Sequence, residues 1–204
     1  MNYGQLKTHF QDILNRSDIT PALTETFIDQ GITRIGRQLR TPMNEKVKRY
    51  VLTSQTASLT LPNDFLELIS FYYGDREISR VPNSRFRQFT NSIYVGEPKY
   101  FTRQQEALFI YPQPASGELN LYYYGDFGTL SADSDETPLT IAAPDLITYA
   151  ALTYAADHFL DERAEIFEAK FNQFLNEIQG QADDQELNGS TQSISPAYTF
   201  DFED

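Results

Sequence analysis

Apolar residues open the chain at helical spacing. Leu6, Phe10, Ile13 and Leu14 follow one another by four, three and one, which predicts a short amphipathic helix over Tyr3 to Asn15. AsnArgSerAsp at 15–18 is a polar stop. Thr20 then precedes Pro21, the order of a capping side chain and a proline in the first turn, where a missing N–H leaves no bond unmade. Ile28, Ile32, Ile35 and Leu39 form one stripe on the helix that this starts, and Arg34, Arg37 and Arg40 fall around the opposite face. Gly31 and Gly36 each cost about 1 kcal/mol of helix propensity relative to alanine, so both are expected where a neighbour comes close. ThrPro at 41–42 closes the helix near Arg40, because the residue before proline disfavours helical geometry.

From Val47 the period changes to two, and β-branched and aromatic residues take over. Strands are predicted at Lys48–Thr53, Ser58–Leu61, Leu66–Tyr73, Glu77–Val81, Tyr100–Thr102, Ala107–Tyr111 and Glu118–Tyr124, with a helical turn at Arg85–Phe89. LeuProAsnAsp at 61–64, GlyAsp at 74–75, GlyGluPro at 96–98 and ProGlnProAlaSerGly at 112–117 punctuate them. Such short strands predict a small antiparallel sheet or sandwich, ended by the polar loop 131–138.

Helix returns at Pro144, with Asp145 near the positive end of the helix dipole. Leu146 to Leu160 is rich in alanine, as expected where helices pack closely, and Asp161 starts or continues a further helix. Ala164, Phe167, Phe171, Phe174 and Ile178 follow near-heptad spacing, a stripe that belongs to a core or a subunit interface. Beyond Gln179 the periodicity fades into a polar stretch with the composition of a disordered segment. The end differs again: Ile194, Tyr198, Phe200 and Phe202 interrupt the polar run, and the last three alternate with Thr199, Asp201 and Glu203. Alternation marks a strand that buries one face, so this end is expected to order on a partner, by adding to its sheet or by placing rings in its pockets.

Charge sharpens this picture. The 204 residues carry a net −13, but residues 1–50 sum to +3, residues 51–180 to −10 and residues 181–204 to −6. A strongly acidic chain does not grip nucleic acid through its phosphates. The series Arg34, Arg37, Arg40, Lys46, Lys48 and Arg49 is the one basic concentration, and an acidic protein surface suits it better than nucleic acid; solvation explains it equally well. There is no cysteine, which excludes disulfides, thiolate zinc sites and thiol catalysis. No apolar run reaches the roughly 18 residues needed to cross a bilayer, and Met1–Phe10 lacks the pattern of a signal peptide, so a soluble chain, intracellular at synthesis, is expected.

Candidate chemistry is sparse. Asp157, His158, Asp161, Glu162 and Glu165 cluster at helical spacing and suggest an acid or metal site, although such a run is more often the solvated face of a helix. Asp64 and Glu67 would serve a glycan hydrolase if another carboxylate lay opposite them. Tyr72, Tyr73 and Phe101 would contact a receptor if the β domain were a tail-fibre or host-binding module, and are otherwise core. GxSxG, Walker, GxGxxG and HExxH motifs are absent, and no cofactor is expected. AsnArgSer at 15–17 and AsnGlySer at 188–190 match the glycosylation pattern by chance in a chain without a secretion signal.

Four ordered stretches resemble the head-to-tail adaptor (head completion or connector) proteins of tailed bacteriophages. TyrGlyGlnLeuLys at 3–7 leads through LeuAsnArgSerAsp at 14–18 to PheIleAspGlnGlyIleThrArgIleGlyArgGlnLeuArg at 27–40. LeuProAsnAspPheLeuGluLeu follows at 61–68, then ProLysTyrPheThr at 98–102 with LeuPheIleTyrProGlnPro at 108–114. LeuTyrTyrTyrGly at 121–125 precedes LeuSerAlaAspSerAspGluThrPro at 130–138 and AspHisPheLeuAspGluArg at 157–163. The set spans about residues 3–180, and the long acidic tail departs from the commonest pattern.

The resemblance implies an α+β fold with a helical bundle from residues 1–45 and 140–180 and an inserted small antiparallel β domain at 46–139, to which the polar composition at the end adds an extended, flexible acidic tail at 181–204. It implies a structural virion protein of the neck, assembled in the host bacterial cytoplasm, without cofactor, enzyme activity or membrane contact. Its partners would be the portal protein, a tail nozzle or tail tube protein, and itself, in a ring typically of twelve copies that passes phage DNA without specific binding. In that setting Ile194, Tyr198, Phe200 and Phe202 are the candidate portal or partner docking residues, and Arg34, Arg37 and Arg40 the candidate subunit-interface charges.

Overall fold

The computed structural model describes residues 1–89 and 93–187. Helix α1, Tyr3–Leu14, is held at its start by a reciprocal cap between Asn2 and Gln5 and stops where Asn15 turns left-handed. Helix α2, Pro21–Gln38, is capped by Thr20 with proline in its first turn. After a 3₁₀ turn at Pro42–Asn44 come β1 (Glu45–Leu52), β2 (Ser58–Thr60), β3 (Phe65–Tyr73), β4 (Arg76–Glu77), β5 (Ser79–Arg80), helix α3 (Asn83–Phe89), β6 (Tyr100–Gln104), β7 (Ala107–Tyr111) and β8 (Gly117–Gly125). Helices α4 (Pro138–Ala142), α5 (Pro144–Phe159) and α6 (Ala164–Leu187) finish the described chain. The α+β class is as the sequence implies.

The helices share one core. Leu6, Phe10 and Leu14 of α1 and Ile28 and Ile35 of α2 are buried with Leu146, Ala150, Ala151 and Ala155 of α5 and Phe167 and Phe171 of α6. The alanine-rich helix lies between its neighbours because small side chains let backbones come close. At Gly31 a methyl group would stand 2.9 Å from the backbone nitrogen of Ala151, whereas a methyl on Gly36 would meet nothing within 4 Å. Gly31 is thus the close approach expected of both glycines, and Gly36 faces open space.

The β domain is a sandwich of two four-stranded sheets, ordered β1-β8-β3-β4 and β2-β7-β6-β5. Phe71 of the first sheet meets Phe101 of the second edge-on at 5.2 Å, in a core shared with Leu59, Leu108, Ile110, Leu119 and Leu121. All strand pairs are antiparallel except β5 with β6. The single strand predicted at Glu77–Val81 is instead two short ones that belong to different sheets. Buried Ile78 stands between them, its N–H bonded to the Phe71 carbonyl at 2.8 Å, and the next N–H, of Ser79, turns to Lys99.

Three boundaries move. The first strand begins at Glu45, not Lys48. Phe127 and Leu130 lie in the bundle core, so the chain re-enters the bundle well before residue 140, and Thr137 caps the unpredicted short helix α4. The last helix continues past 180 to Leu187 through residues read as the start of the tail. Gln179 bonds both the N–H and the carbonyl of Arg40, at 3.2 and 3.0 Å, and Ala182 is buried, contacts that no pattern in the polar sequence announces.

Candidate functional site

The junction of bundle and sandwich gathers four of the charged residues singled out from sequence, Arg40, Lys46, Asp64 and Glu67. Arg40, just after α2, donates from Nε to Glu67 at 2.8 Å and from Nη1 to the carbonyls of Gly36 and Leu39, both at 2.8 Å. Its guanidinium lies 6.0 Å from the Tyr124 ring centre. Arg40 therefore ends α2 by satisfying carbonyls that the helix leaves open and clasps the sandwich in the same act. Asn44 adds a bond to the Gly125 carbonyl at 3.3 Å.

Arg34 points into the bundle. Nη1 donates to Thr153 of α5 at 3.0 Å and to Glu168 of α6 at 2.9 Å, Nη2 reaches the other Glu168 oxygen at 2.5 Å, and the plane covers Phe171 at 4.1 Å. The bonded Arg34 holds the Glu168 carboxyl below its usual range. Arg37 alone of the three is exposed and makes no ion pair among the described residues. It borders a cleft of about 430 Å³ between α2 and the loop after β8, lined also by Asp29, Ile32, Leu66 and Phe127. Burial raises the Asp29 carboxyl, and the charge on Glu25 adds to this.

Asp64 and Glu67 are each bonded to a different cation of the same chain. Lys46 donates to Asp64 at 2.7 Å and the Tyr123 hydroxyl donates to it at 3.0 Å, while Glu67 is held by Arg40. Burial by itself would raise Asp64, but the bonds from Lys46 and Tyr123 outweigh it and the carboxyl sits below its ordinary value. The Tyr123 hydroxyl is pushed up to about 12, by burial first and by Asp64 second. A carboxylate held ionised in this way is a poor proton donor.

The acidic run after α5 is a splice between helices. Leu160 turns left-handed, Asp161 accepts from the Arg163 backbone at 2.9 Å and from its guanidinium at 2.7 Å, and Arg163 donates in turn to the carbonyls of Ile13 and Leu14, at 3.2 and 2.9 Å. Arg163 thereby caps the end of α1, and it lowers Asp161 to about 2. His158 packs on Phe159 and Phe27. Among the described residues no group of three or more histidine, aspartate or glutamate side chains is placed to hold a metal ion.

Of the receptor candidates, Phe101 is core and the Tyr73 hydroxyl donates to the Ser116 carbonyl at 2.9 Å. Tyr72 stands on the outer face of the first sheet, edge-on to Tyr122 at 5.7 Å. That face was not singled out from sequence. Val47, Val51, Ile69 and Tyr122 are all exposed on it, four large apolar groups brought together from β1, β3 and β8. The spacing of Val47 and Val51 put them on one side of a strand, but which side faces water is a property of the sandwich. The docking candidates Ile194, Tyr198, Phe200 and Phe202 lie outside the described residues.

The fold is a bundle that carries an inserted sandwich, with Arg34 and Arg40 used as clasps between elements. The chain belongs to the SU10 adaptor protein family, whose model matches residues 1–195. Membership makes it a phage virion component that serves tail assembly through contacts with other head and tail proteins. No curated protein matches the chain. No helix among the described residues is long and apolar enough to cross a membrane.

Proposed function

We propose that the chain assembles, typically as twelve copies, into a ring between portal and tail, bound to the portal above and to a nozzle or tube protein below, and that DNA passes through it unheld. A heterologous contact repeated until rotation closes builds such a ring. One observation carries the DNA part of the reading. Lys7, Arg16, Arg34, Arg40, Lys46 and Arg49 are each paired with an acidic side chain of the same chain, so the basic first quarter offers phosphates little free charge. Arg37 and Lys48 are the cations of that quarter outside these pairs. The acid elsewhere is in excess, and an acidic lining repels a duplex and lets it slide. Among the arginines first assigned to subunit contacts, Arg34 and Arg40 are committed within the chain and Arg37 remains available to a neighbour.

Mixing the purified chain with the portal protein of its phage tests this. Electron microscopy is expected to show a closed ring on the tail-facing side of the portal. A chain that leaves the portal bare, or a virion neck without its density, refutes the proposal.

A further inference from the structure

The bundle and the sandwich keep separate cores, with no buried residue common to the two among the described residues. The chain crosses from one to the other twice. At the first crossing Leu39 is buried in the bundle core and Gln179 holds both backbone groups of Arg40, whereas Glu45 is already paired with Tyr124 in the sheet. At the second, Asp126 stays with the sandwich: its N–H donates to the Asp64 carbonyl at 2.9 Å, and its own carbonyl accepts from Lys46 at 2.9 Å. The next residue, Phe127, is in the bundle core.

The two crossings lie side by side, because Asn44 of the first donates to the Gly125 carbonyl of the second at 3.3 Å. Adjacent crossings define an axis and leave rotation about it open, where crossings set far apart would brace the joint. Away from that axis the seam is not filled. The cleft of about 430 Å³ separates Ile32, Gly36 and Arg37 of α2 from Leu66 of β3 and from the loop 126–130, and Leu66 belongs to neither core. Units joined without a shared apolar core move relative to one another unless something else holds them.

Arg40 supplies that hold. It is anchored on the bundle through the Gly36 and Leu39 carbonyls and reaches Glu67 at 2.8 Å. Glu45, Tyr124 and Glu67 stand in one row across β1, β8 and β3, so Glu67 is two strand spacings, roughly 10 Å, from the crossing at Glu45. The pair therefore acts off the axis, where it resists rotation. Its side chains are 27% and 59% exposed, so solvent and salt weaken it.

We propose that the bundle and the sandwich rock about the paired crossings at Asn44–Glu45 and Asp126–Phe127, that the Arg37 cleft opens and narrows as they do, and that Arg40 with Glu67 is the latch that favours the arrangement described above. β1 is eight residues long and reaches roughly 27 Å from the crossing, so a rotation of about 10° carries its far end about 5 Å. Such a joint lets a protein that contacts both head and tail components seat its two units separately, without strain in either core. It belongs to the single chain and does not depend on a ring or on the portal.

The chain has no cysteine, so spin labels attach only where one is introduced. Gln173→Cys on α6 and Val51→Cys on β1 are exposed positions on the two units, and pulsed electron–electron resonance of the full chain reads the distance between them. Glu67→Gln is expected to widen the distance distribution by about 5 Å, and so is salt at about 1 M, where screening acts within roughly 3 Å. Gly36→Leu places a side chain in the cleft, where a methyl group meets nothing within 4 Å, and is expected to narrow the distribution. A second pair, Val51→Cys with Glu77→Cys, lies wholly within the first sheet and should read the same in every case. A distance between α6 and β1 that Glu67→Gln and salt leave as narrow as in the parent, or that Gly36→Leu does not narrow, overturns the joint. Widening of the pair within the sheet overturns it too, since the sandwich itself would then be loosening.

Discussion

The same substitution at two glycines of α2 should change stability in opposite directions. Glycine to alanine in a helix interior gains about 1 kcal/mol from backbone propensity. At Gly36 nothing opposes the gain, because the new methyl group has no atom within 4 Å, and near the end of the helix about 0.5–1 kcal/mol is expected. At Gly31 the methyl would lie 2.9 Å from Ala151 N and 3.2 Å from both the carbonyl carbon and the Cβ of Ala150. The obstacles are mostly backbone, so α5 itself must move, and overpacking of this kind costs about 1–3 kcal/mol. Gly31→Ala is therefore expected to be destabilised by about 1 kcal/mol net, and to lie about 2 kcal/mol below Gly36→Ala. For a chain of this size that difference is roughly 4–8 °C in melting temperature. Thermal unfolding followed by circular dichroism reads both variants against the parent. If Gly31→Ala melts as high as Gly36→Ala, the α2–α5 contact is not tight, and close packing is not why a glycine stands at 31.

Other outcomes follow from the clasps. Arg34→Ala is expected to lose about 2 kcal/mol, from its charge-assisted bonds and its ring contact after allowance for solvent at the partly exposed Glu168; Arg34→Lys should recover part of this, and an unchanged melting temperature would show the cluster to be idle. Glu168 has its folded pKa depressed, so the contribution is present above the ordinary glutamate value and fades as pH falls through the depressed one. The gap between parent and Arg34→Ala should accordingly narrow below about pH 4. Tyr123 and Tyr3 are both raised to about 12, and burial raises Tyr50 as well; their stabilisation holds below the ordinary tyrosine pKa of about 10 and is lost as pH rises through the folded values, and an absorbance titration of phenolate should show these tyrosines ionising late. Duplex DNA at physiological salt should produce no mobility shift, and a shift that weakens steeply with salt would show that the cations of the first quarter are free to bind phosphate.

Much of the body was legible in the sequence. Thr20–Pro21, the isoleucine stripe of α2, the aromatic stripe of α6 and most of the strands announce themselves through caps and periods that act over a few residues. Charge could be counted but not assigned. The +3 of the first fifty residues looks like a basic surface until Arg34 finds Glu168 and Arg40 finds Glu67, partners separated by 134 and 27 positions. Asp64 and Glu67 have the same history: side by side in sequence they suggest acid chemistry, and in space each is held by a different cation. The end of α6 is a third case, since polar residues past Gln179 carry no stripe, while in space Gln179 is bonded to Arg40 and Ala182 is buried.

Local sequence determined where helices and strands lie, because caps, prolines and hydrophobic periods are short-range physics. It also carried the ordered set of motifs that pointed to the adaptor family. The tertiary structure decided which glycine is packed, which arginine is free, and which face of the sandwich is bare. Those depend on residues far apart in the chain meeting across interfaces, and no pattern within a single segment contains them.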